Sequence, residues 1–584
     1  MCYIPAIMIR GHGAHVVTTT RIYKSKTYRS HLLRRSYREG NKVKKETIAN
    51  LTVLGDEVVE LIKMALHGQR LAPVDELFQV DRSRHHGHVQ AVTETMSRLG
   101  LASLLASRKS RERSIVMAMI ATQVLEPDSK LAMTRWWHTT TIPEIFGVED
   151  ADEDDLYAAM DWLLHRQGRI EKKLAGRHLE EGGLVLYDLT SSYFEGKTCL
   201  LAKLGHNRDG KKGKLQVNYG LLTDRRGCPV AVSVYKGDTG DPTTLRDQAD
   251  KVRGEFGIKH MVLVGDRGMI SQKQIDGLRE VKGVDWITAL RTESIRELVE
   301  GGSIQLGLFD ERNIFEFTHP DYPGERLVAC RNPEMTRRRR EKRQSLLEAT
   351  VEELEKVRRM VERGRLKGQD KIGVRVGRVV NKYKVAKHFE LTIRKNSFSY
   401  KLDEKKISRE AALDGIYVVR TSLSKRAMSS KQTVLSYKKL SEVERAFRAL
   451  KSIDLLVRPI RHRMVDRVQA HIFFCMLTYY VKWHMMEAWR PLLFSDEDLE
   501  EKEKRDPVTP ARRSPGALKK VHTKKLADGS TVHSFRTLLK DLSTIVRNTC
   551  RRKEAKEIES SFCVDTTPSP SQQRAYNLIK QISL

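Results

Sequence analysis

The stretch from residue 183 to 290 constrains this chain more than any other. Three short apolar segments come first, LVLYDLTSSYF, QVNYGLLTD and CPVAVSVYKG, joined by Gly, Asp and Arg turns. They read as the strands of an antiparallel meander. A helical stretch follows (TTLRDQADKVRGEF), then strand HMVLVGD, helix SQKQIDGLREV and strand VDWITAL. Three strands followed by helix–strand–helix–strand give an α/β order with a mixed sheet. Two acids interrupt this apolar texture. Asp188 and Asp266 each fall at the end of a run of aliphatic residues of the kind that is normally interior. A carboxylate there is costly unless it is paired, hydrogen-bonded or bound to a metal. A single such Asp is commonly a turn or cap residue. Two in neighbouring strands stand about 5 Å apart, a spacing that suits hard cations held by shared carboxylates.

A third carboxylate is expected from a helix facing the same sheet. In YKKLSEVERAFRALKS (437–452), Leu440, Val443, Phe447 and Leu450 define a buried stripe. Tyr437, Glu444 and Lys451 then fall one above another at seven-residue intervals on one flank, with Arg448 close by, while Glu442 points to the opposite flank. Taken alone, the helix reads slightly better as an exposed face with a Glu444–Arg448 pair at i,i+4. The charge balance bears on the partner. Lys+Arg number 106 against 75 Asp+Glu, a formal net charge of +31. Such an excess on a folded protein attracts polyanions, nucleic acid above all, whereas an acidic small molecule would need only one basic pocket. Directly after the helix, VRPIRHRMVDR concentrates Arg458, Arg461, His462, Arg463 and Arg467, a patch suited to tracking a phosphate backbone.

Asp, Asp and Glu in strand, strand and helix, with Y-x6-E-x6-K on the helix, resemble the DDE transposases of bacterial insertion sequences. The chain is similar in particular to the insertion-sequence-four superfamily, whose signature is Y-x2-R-x3-E-x6-K. LYDLTSSYFEG, GKKGKLQVNYGLLTDRRGCPVAV, VGDRGMIS, DGIYVVRTS and VRPIRHR resemble its branch with a long insertion, as does SYREGNKVKKETIANL near the N-terminus. Leu440 stands where the signature has Arg. The resemblance implies an RNase H-like mixed-sheet core in which Asp188, Asp266 and Glu444 are catalytic and hold two Mg²⁺ ions, with Mn²⁺ as a substitute. Tyr437, Arg448, Lys451, Arg458, Arg461, His462 and Arg463 are then the expected DNA contacts. The partners implied are double-stranded DNA, as transposon ends and target, and a second copy of the chain in a homodimer or larger assembly. The implied function is to bind terminal inverted repeats, cleave the DNA and transfer the strand. The alternatives are an RNase H-like nuclease that cuts without joining, and an inactive transposase-derived DNA-binding protein.

The rest of the chain divides around this core. Residues 1–88 read as a β-hairpin and helix region, the expected place for end recognition: the REGN turn joins two runs with one cationic face, and DEVVELIKMAL is an amphipathic helix. HHGHVQ (85–90) reads as a linker before a helical domain over 89–178, and EDADEDD (149–155) as a solvated loop. The core occupies 179–291 and 414–492, interrupted by an insertion at 292–413, since 178 positions separate Asp266 from Glu444. TRRRREKR (336–343) fits either a DNA-binding start to the insertion helix or a solvated face, and Trp286 reads as core. Residues 493–584 read as a polar, basic tail with one final helix. The seven cysteines are scattered without a C-x-x-C pair, so neither a disulfide framework nor a structural zinc site is expected, and a reducing cytoplasm fits. The N-terminal MCYIPAIMIRGHGAH makes a poor signal peptide. The most apolar run, IFFCMLTYYV (472–481), is half the roughly 20 residues that span a bilayer. A cytoplasmic, nucleoid-associated protein with no membrane partner is expected.

Overall fold

The computed structural model describes residues 13–24, 26–69, 78–310, 313–452, 454–498, 506–509, 512–552 and 561–583. The reading of the extreme N-terminus (1–12) and that of the acidic stretch at 499–505 lie outside the described residues. Two compact units are present, one formed by residues 1–83 with 547–565 and one by 84–546 with 566–584.

In the smaller unit, β1 (Ala14–Tyr23), β2 (Lys26–Glu39) and β3 (Lys42–Asn50) form an antiparallel sheet. The REGN segment supplies the two-residue β2–β3 turn, with Gly40 at φ 56°, a conformation that favours glycine. The helix Gly55–Leu66 follows, and its Asp56 accepts hydrogen bonds from His31 (2.8 Å) and Arg29 (3.1 Å) of β2. A second small sheet contains β4 (Phe78–His85), β15 (Val546–Arg552) and β16 (Phe562–Asp565).

The larger unit is built on an eight-stranded sheet. Its strands are β5 (Leu184–Tyr193), β6 (Gln216–Thr223), β7 (Pro229–Lys236), β8 (Met261–Val264), β9 (Val284–Ala289), β10 (Ile314–Phe317), β11 (Arg326–Arg331) and β14 (Ile416–Thr421). Their spatial order is β10-β11-β14-β9-β8-β5-β6-β7. From β7 to β5 the strands are antiparallel; β5, β8 and β9 are parallel. That five-strand block is the mixed RNase H-like core. Side chains of β5 alternate between two interiors. Val185, Tyr187 and Leu189 enter one core with β8 and β9, and Leu186 enters the other, larger one beneath the helices.

The helix Val465–Ala488 carries the IFFCMLTYYV run and is buried from Ala470 to Met485. It packs against the helices between Gly87 and His178. Among the described residues no helix is long and apolar enough to cross a membrane. Three expectations change in this region. HHGHVQ is no linker: His86 and His88 are buried, and the helix begins at Gly87. The last acids of EDADEDD form a helix start, with Asp152 capping the helix Glu153–Leu164. The polar C-terminal segment contributes core: Trp489 Nε1 donates to Ala575 O at 3.0 Å, and the Tyr576 hydroxyl donates to Gly87 O at 3.0 Å. Its helix Pro570–Lys580 buries only Gln572, Ala575, Tyr576 and Ile579, too few apolar positions to stand out in sequence.

The insertion is also less separate than its sequence suggests. β10 and β11 extend the sheet beyond β14. Only the helices Pro333–Glu362 and Gln369–Tyr383, with the hairpin of β12 (Phe389–Arg394) and β13 (Ser397–Leu402), enclose a core of their own.

Candidate active site

The register of the parallel strands brings the first two acids together. Leu184 of β5 lies opposite Val262 of β8, and Leu186 opposite Val264. Two residues further along each chain come Asp188, still within β5, and Asp266, in the turn after β8. Asp266 follows β8 after Gly265, and Asp188 does not end β5, which runs on to Tyr193. Asp188 is half-buried and shares the face of Leu186. Burial pushes its carboxyl up to about 7. The Leu189 N–H (2.8 Å) and Arg208 pull the other way, while Asp266 and Asp241 add to the rise. An acid in that state lacks counter-charge, which a divalent cation bound beside it supplies. Asp266 is exposed, and the Tyr437 hydroxyl donates to its Oδ1 at 3.2 Å. Burial, and then Asp266 itself, push the Tyr437 phenol up and keep it a donor.

Tyr437 and Glu444 belong to two consecutive helices, Ser430–Lys438 and Leu440–Lys451, separated by Lys439 alone. The second buries Val443, Ala446, Phe447 and Leu450, with Leu440 half-buried against the same core. Phe447 meets Tyr219 edge-on at 5.9 Å, and Tyr219 pairs with Thr190 of β5. At the far end Lys451 Nζ donates to Asp209 Oδ1 at 3.1 Å, and Arg458 donates to the same oxygen at 2.5 Å. Asp209 Oδ2 accepts the Tyr193 N–H at 2.9 Å. The helical segment is thus anchored beside Asp266 at Tyr437 and beside the end of β5 at Lys451. Glu444 lies between the two anchors in sequence, seven residues or about 10.5 Å along the second helix from Lys451. It is exposed, and among the described residues its carboxylate has no hydrogen bond or ion pair, with Arg448 or otherwise. Glu442 turns to the other flank, where it pairs with Arg445 at 2.5 Å beside Gly227. The carboxylate oxygens of Asp188, Asp266 and Glu444 do not fall within 4.8 Å of one another.

The basic residues fall into distinct environments. Arg448 and Arg463 are exposed, and Arg461 is exposed beside Glu195 at 3.2 Å. Lys451 and Arg458 are engaged by Asp209. His462 turns inward against Tyr157 (6.0 Å) and His471 (4.9 Å), and burial lowers it to about 4, so it carries no charge toward a phosphate at neutral pH. Asp209 was not foreseeable from HNRDGKKGK, where an acid among glycines and lysines reads as a turn. The same holds for Asp241, which pairs with Arg208 beside Asp188.

The family model of the transposase DDE domain matches residues 183–481, and that of the N-terminal domain of IS1634 family transposases matches residues 16–73. No curated protein matches the chain. Among solved structures, a piggyBac transposase synaptic complex with hairpin DNA is similar at 10% sequence identity and a TM-score of 0.35, covering 78% of this chain and 77% of that one.

Proposed function

The chain belongs to the transposase DDE-domain family, with an N-terminal segment of the IS1634 family, and on that premise we propose that Asp188, Asp266 and Glu444 carry its DNA cleavage and strand transfer. DDE transposition depends on divalent metal. The ions proposed are two Mg²⁺, replaceable by Mn²⁺, with the three carboxylates as protein ligands. Bound there, they supply a water of lowered pKa and neutralise charge on the phosphate under attack. The chain's own part is positioning. Asp188 offers its carboxylate from β5 and Asp266 from the turn after β8, and the Tyr437 hydroxyl orients Asp266. Glu444 is exposed and unpaired among the described residues. Its place between the Tyr437 and Lys451 anchors is the observation that carries the assignment.

Arg448, Arg461 and Arg463 are the proposed phosphate contacts, while Lys451 and Arg458 hold the end of β5 through Asp209. The N-terminal β-sheet, with exposed Arg29, Arg35, Arg38 and Lys44, is the proposed reader of the terminal inverted repeats. Two ends must be joined in one event, so the active form is proposed to be a homodimer or larger.

Incubation with the element's own ends and Mg²⁺, resolved on a denaturing gel, tests this reading. Asp188→Ala, Asp266→Ala and Glu444→Ala each abolish cleavage while binding persists. A Glu444→Ala protein that still cuts, beside a Glu442→Ala protein that does not, would move the third ligand to the other flank. Products joined to target DNA separate a transposase from a nuclease that only cuts.

A further inference from the structure

We propose that His178, Cys228 and His484 bind one divalent transition-metal ion of the zinc class, separately from the three carboxylates. His178 closes the helix Gln167–His178, Cys228 immediately precedes β7, and His484 lies near the end of the helix Val465–Ala488. Among the described residues these three form the one group of His, Cys, Asp or Glu whose ligand atoms all lie within 4.8 Å of one another. Cys228 Sγ and His484 Nε2 are 3.8 Å apart. In a tetrahedral zinc site, with Zn–S about 2.3 Å and Zn–N about 2.0 Å, such donors stand about 3.5 Å apart. The Cys228–His484 pair is thus within about 0.3 Å of that spacing, and His178 lies within 4.8 Å of both.

The donor set selects the metal. Two imidazoles and a thiolate suit zinc or cobalt and reject magnesium, which takes oxygen ligands. Burial pulls His178 down to about 4 and His484 to about 3, so both rings keep a lone pair at neutral pH. Cys228 is a buried thiol whose proton leaves to solvent as the ion binds. The surroundings hold the ligands in place, as second-layer partners of metal sites do. The Tyr480 hydroxyl lies 3.0 Å from His178 Nε2. Asp224, almost fully buried, accepts the Cys228 N–H at 2.9 Å and the Arg226 Nε–H at 2.8 Å. It also offsets the net charge of an ion bound by a single thiolate. The Arg226 guanidinium lies 3.5 Å from His178 Nδ1 on a half-exposed side chain bound to Asp224, so ligation by that nitrogen displaces its contact with the ring. His178 and His484 line a cavity of about 540 Å³ that also meets Arg490 and Leu578, which leaves room for water as a fourth ligand. Such an ion staples two helices to the edge strand of the catalytic sheet. No spacing motif announced it, because each ligand comes from a different element.

The test is a Co²⁺ titration of the full chain with Mg²⁺ in excess to saturate the carboxylates. A thiolate-to-cobalt charge-transfer band that saturates at one ion per chain, is abolished by Cys228→Ser and survives Cys563→Ser at an exposed cysteine is the expected result. X-ray absorption on the zinc-loaded natural chain gives a reading independent of any variant's folding, expected to show one sulfur near 2.3 Å and nitrogens near 2.0 Å. Absence of the band, its persistence in Cys228→Ser, or a first shell of oxygen and nitrogen alone overturns the proposal.

Discussion

Asp209 offers the sharpest test of how the helix Leu440–Lys451 is held. Its side chain is 3% exposed and faces two cations, Lys451 (11% exposed) at 3.1 Å and Arg458 (32% exposed) at 2.5 Å. With an effective dielectric constant near 20, these pairs carry gross attractions of about 5 and 7 kcal/mol. Desolvation cancels most of that, and removing one partner of a buried pair costs about 3–5 kcal/mol in practice. Asp209→Asn keeps an acceptor for the Tyr193 N–H and removes only the charge. Because Arg458 is a third exposed and partly screened, a loss of about 3 kcal/mol is expected. At 1.36 kcal/mol per decade, amide exchange through local opening should quicken about a hundredfold in segments 189–194 and 446–459. Hydrogen-exchange mass spectrometry reads this segment by segment, which suits a chain of two units. The pH dependence has a definite sign. Burial already lowers the Lys451 amine, and Asp209 opposes that fall. Without Asp209 the folded state binds fewer protons there than the unfolded state, so stability rises with pH. The deficit is therefore largest near neutrality and narrows as pH climbs toward the amine's ordinary 10.5. Protection changed less than threefold, or a deficit that widens with pH, would refute the strut.

Two further outcomes follow from the same geometry. Tyr437→Phe removes a single hydrogen bond to Asp266, worth about 1.5 kcal/mol for a charged acceptor. Cleavage at limiting Mg²⁺ should fall about tenfold and recover at saturating metal; an unchanged rate at limiting metal removes Tyr437 from the site. Glu325, fully buried, accepts from Arg420 Nε of β14 at 2.6 Å and from Arg279 at 2.8 Å. Glu325→Gln should destabilise the larger unit by about 3–5 kcal/mol, seen as a lowered midpoint in thermal unfolding. A midpoint shift within one degree would show that the pair contributes nothing.

What was legible in sequence was local. Strand texture, turn chemistry and helix periodicity identified β5 to β9, the two strand acids and the buried stripe of the Leu440–Lys451 helix, because each depends on residues close in the chain. What escaped depends on contacts across long separations. Asp209 meets Lys451 across 242 positions, and Cys228 meets His484 across 256; neither leaves a periodic trace. His462 shows the opposite error. Its Arg-rich neighbourhood suggested a DNA contact, yet its ring packs between helices. Alternation of burial within an irregular segment cannot be read without the neighbouring elements. Tyr437, Glu444 and Lys451 were expected on one helix, and the break at Lys439 was not foreseen, since Lys439 keeps helical torsions (φ −63°, ψ −16°) and no breaker residue marks it.

That break accounts for how an acid 178 positions downstream reaches the first two. The insertion returns through β14, which pairs with β9, two strand spacings or about 10 Å from β8 and a third from β5. The helix Ser430–Lys438 begins at this side and packs on β10, β11, β14 and β9 in turn, so it crosses the strands. From Ser430 to Tyr437 it climbs about 10.5 Å and brings the Tyr437 hydroxyl onto Asp266, just past the end of β8. After Lys439 the chain turns, and the helix Leu440–Lys451 packs on β5 instead. One crossing helix followed by one lying on β5 therefore converts the position of β14 into the position of Glu444. On this reasoning the length of the insertion between β11 and β14 is free to vary, whereas the eight positions from Ser430 to Tyr437 are not.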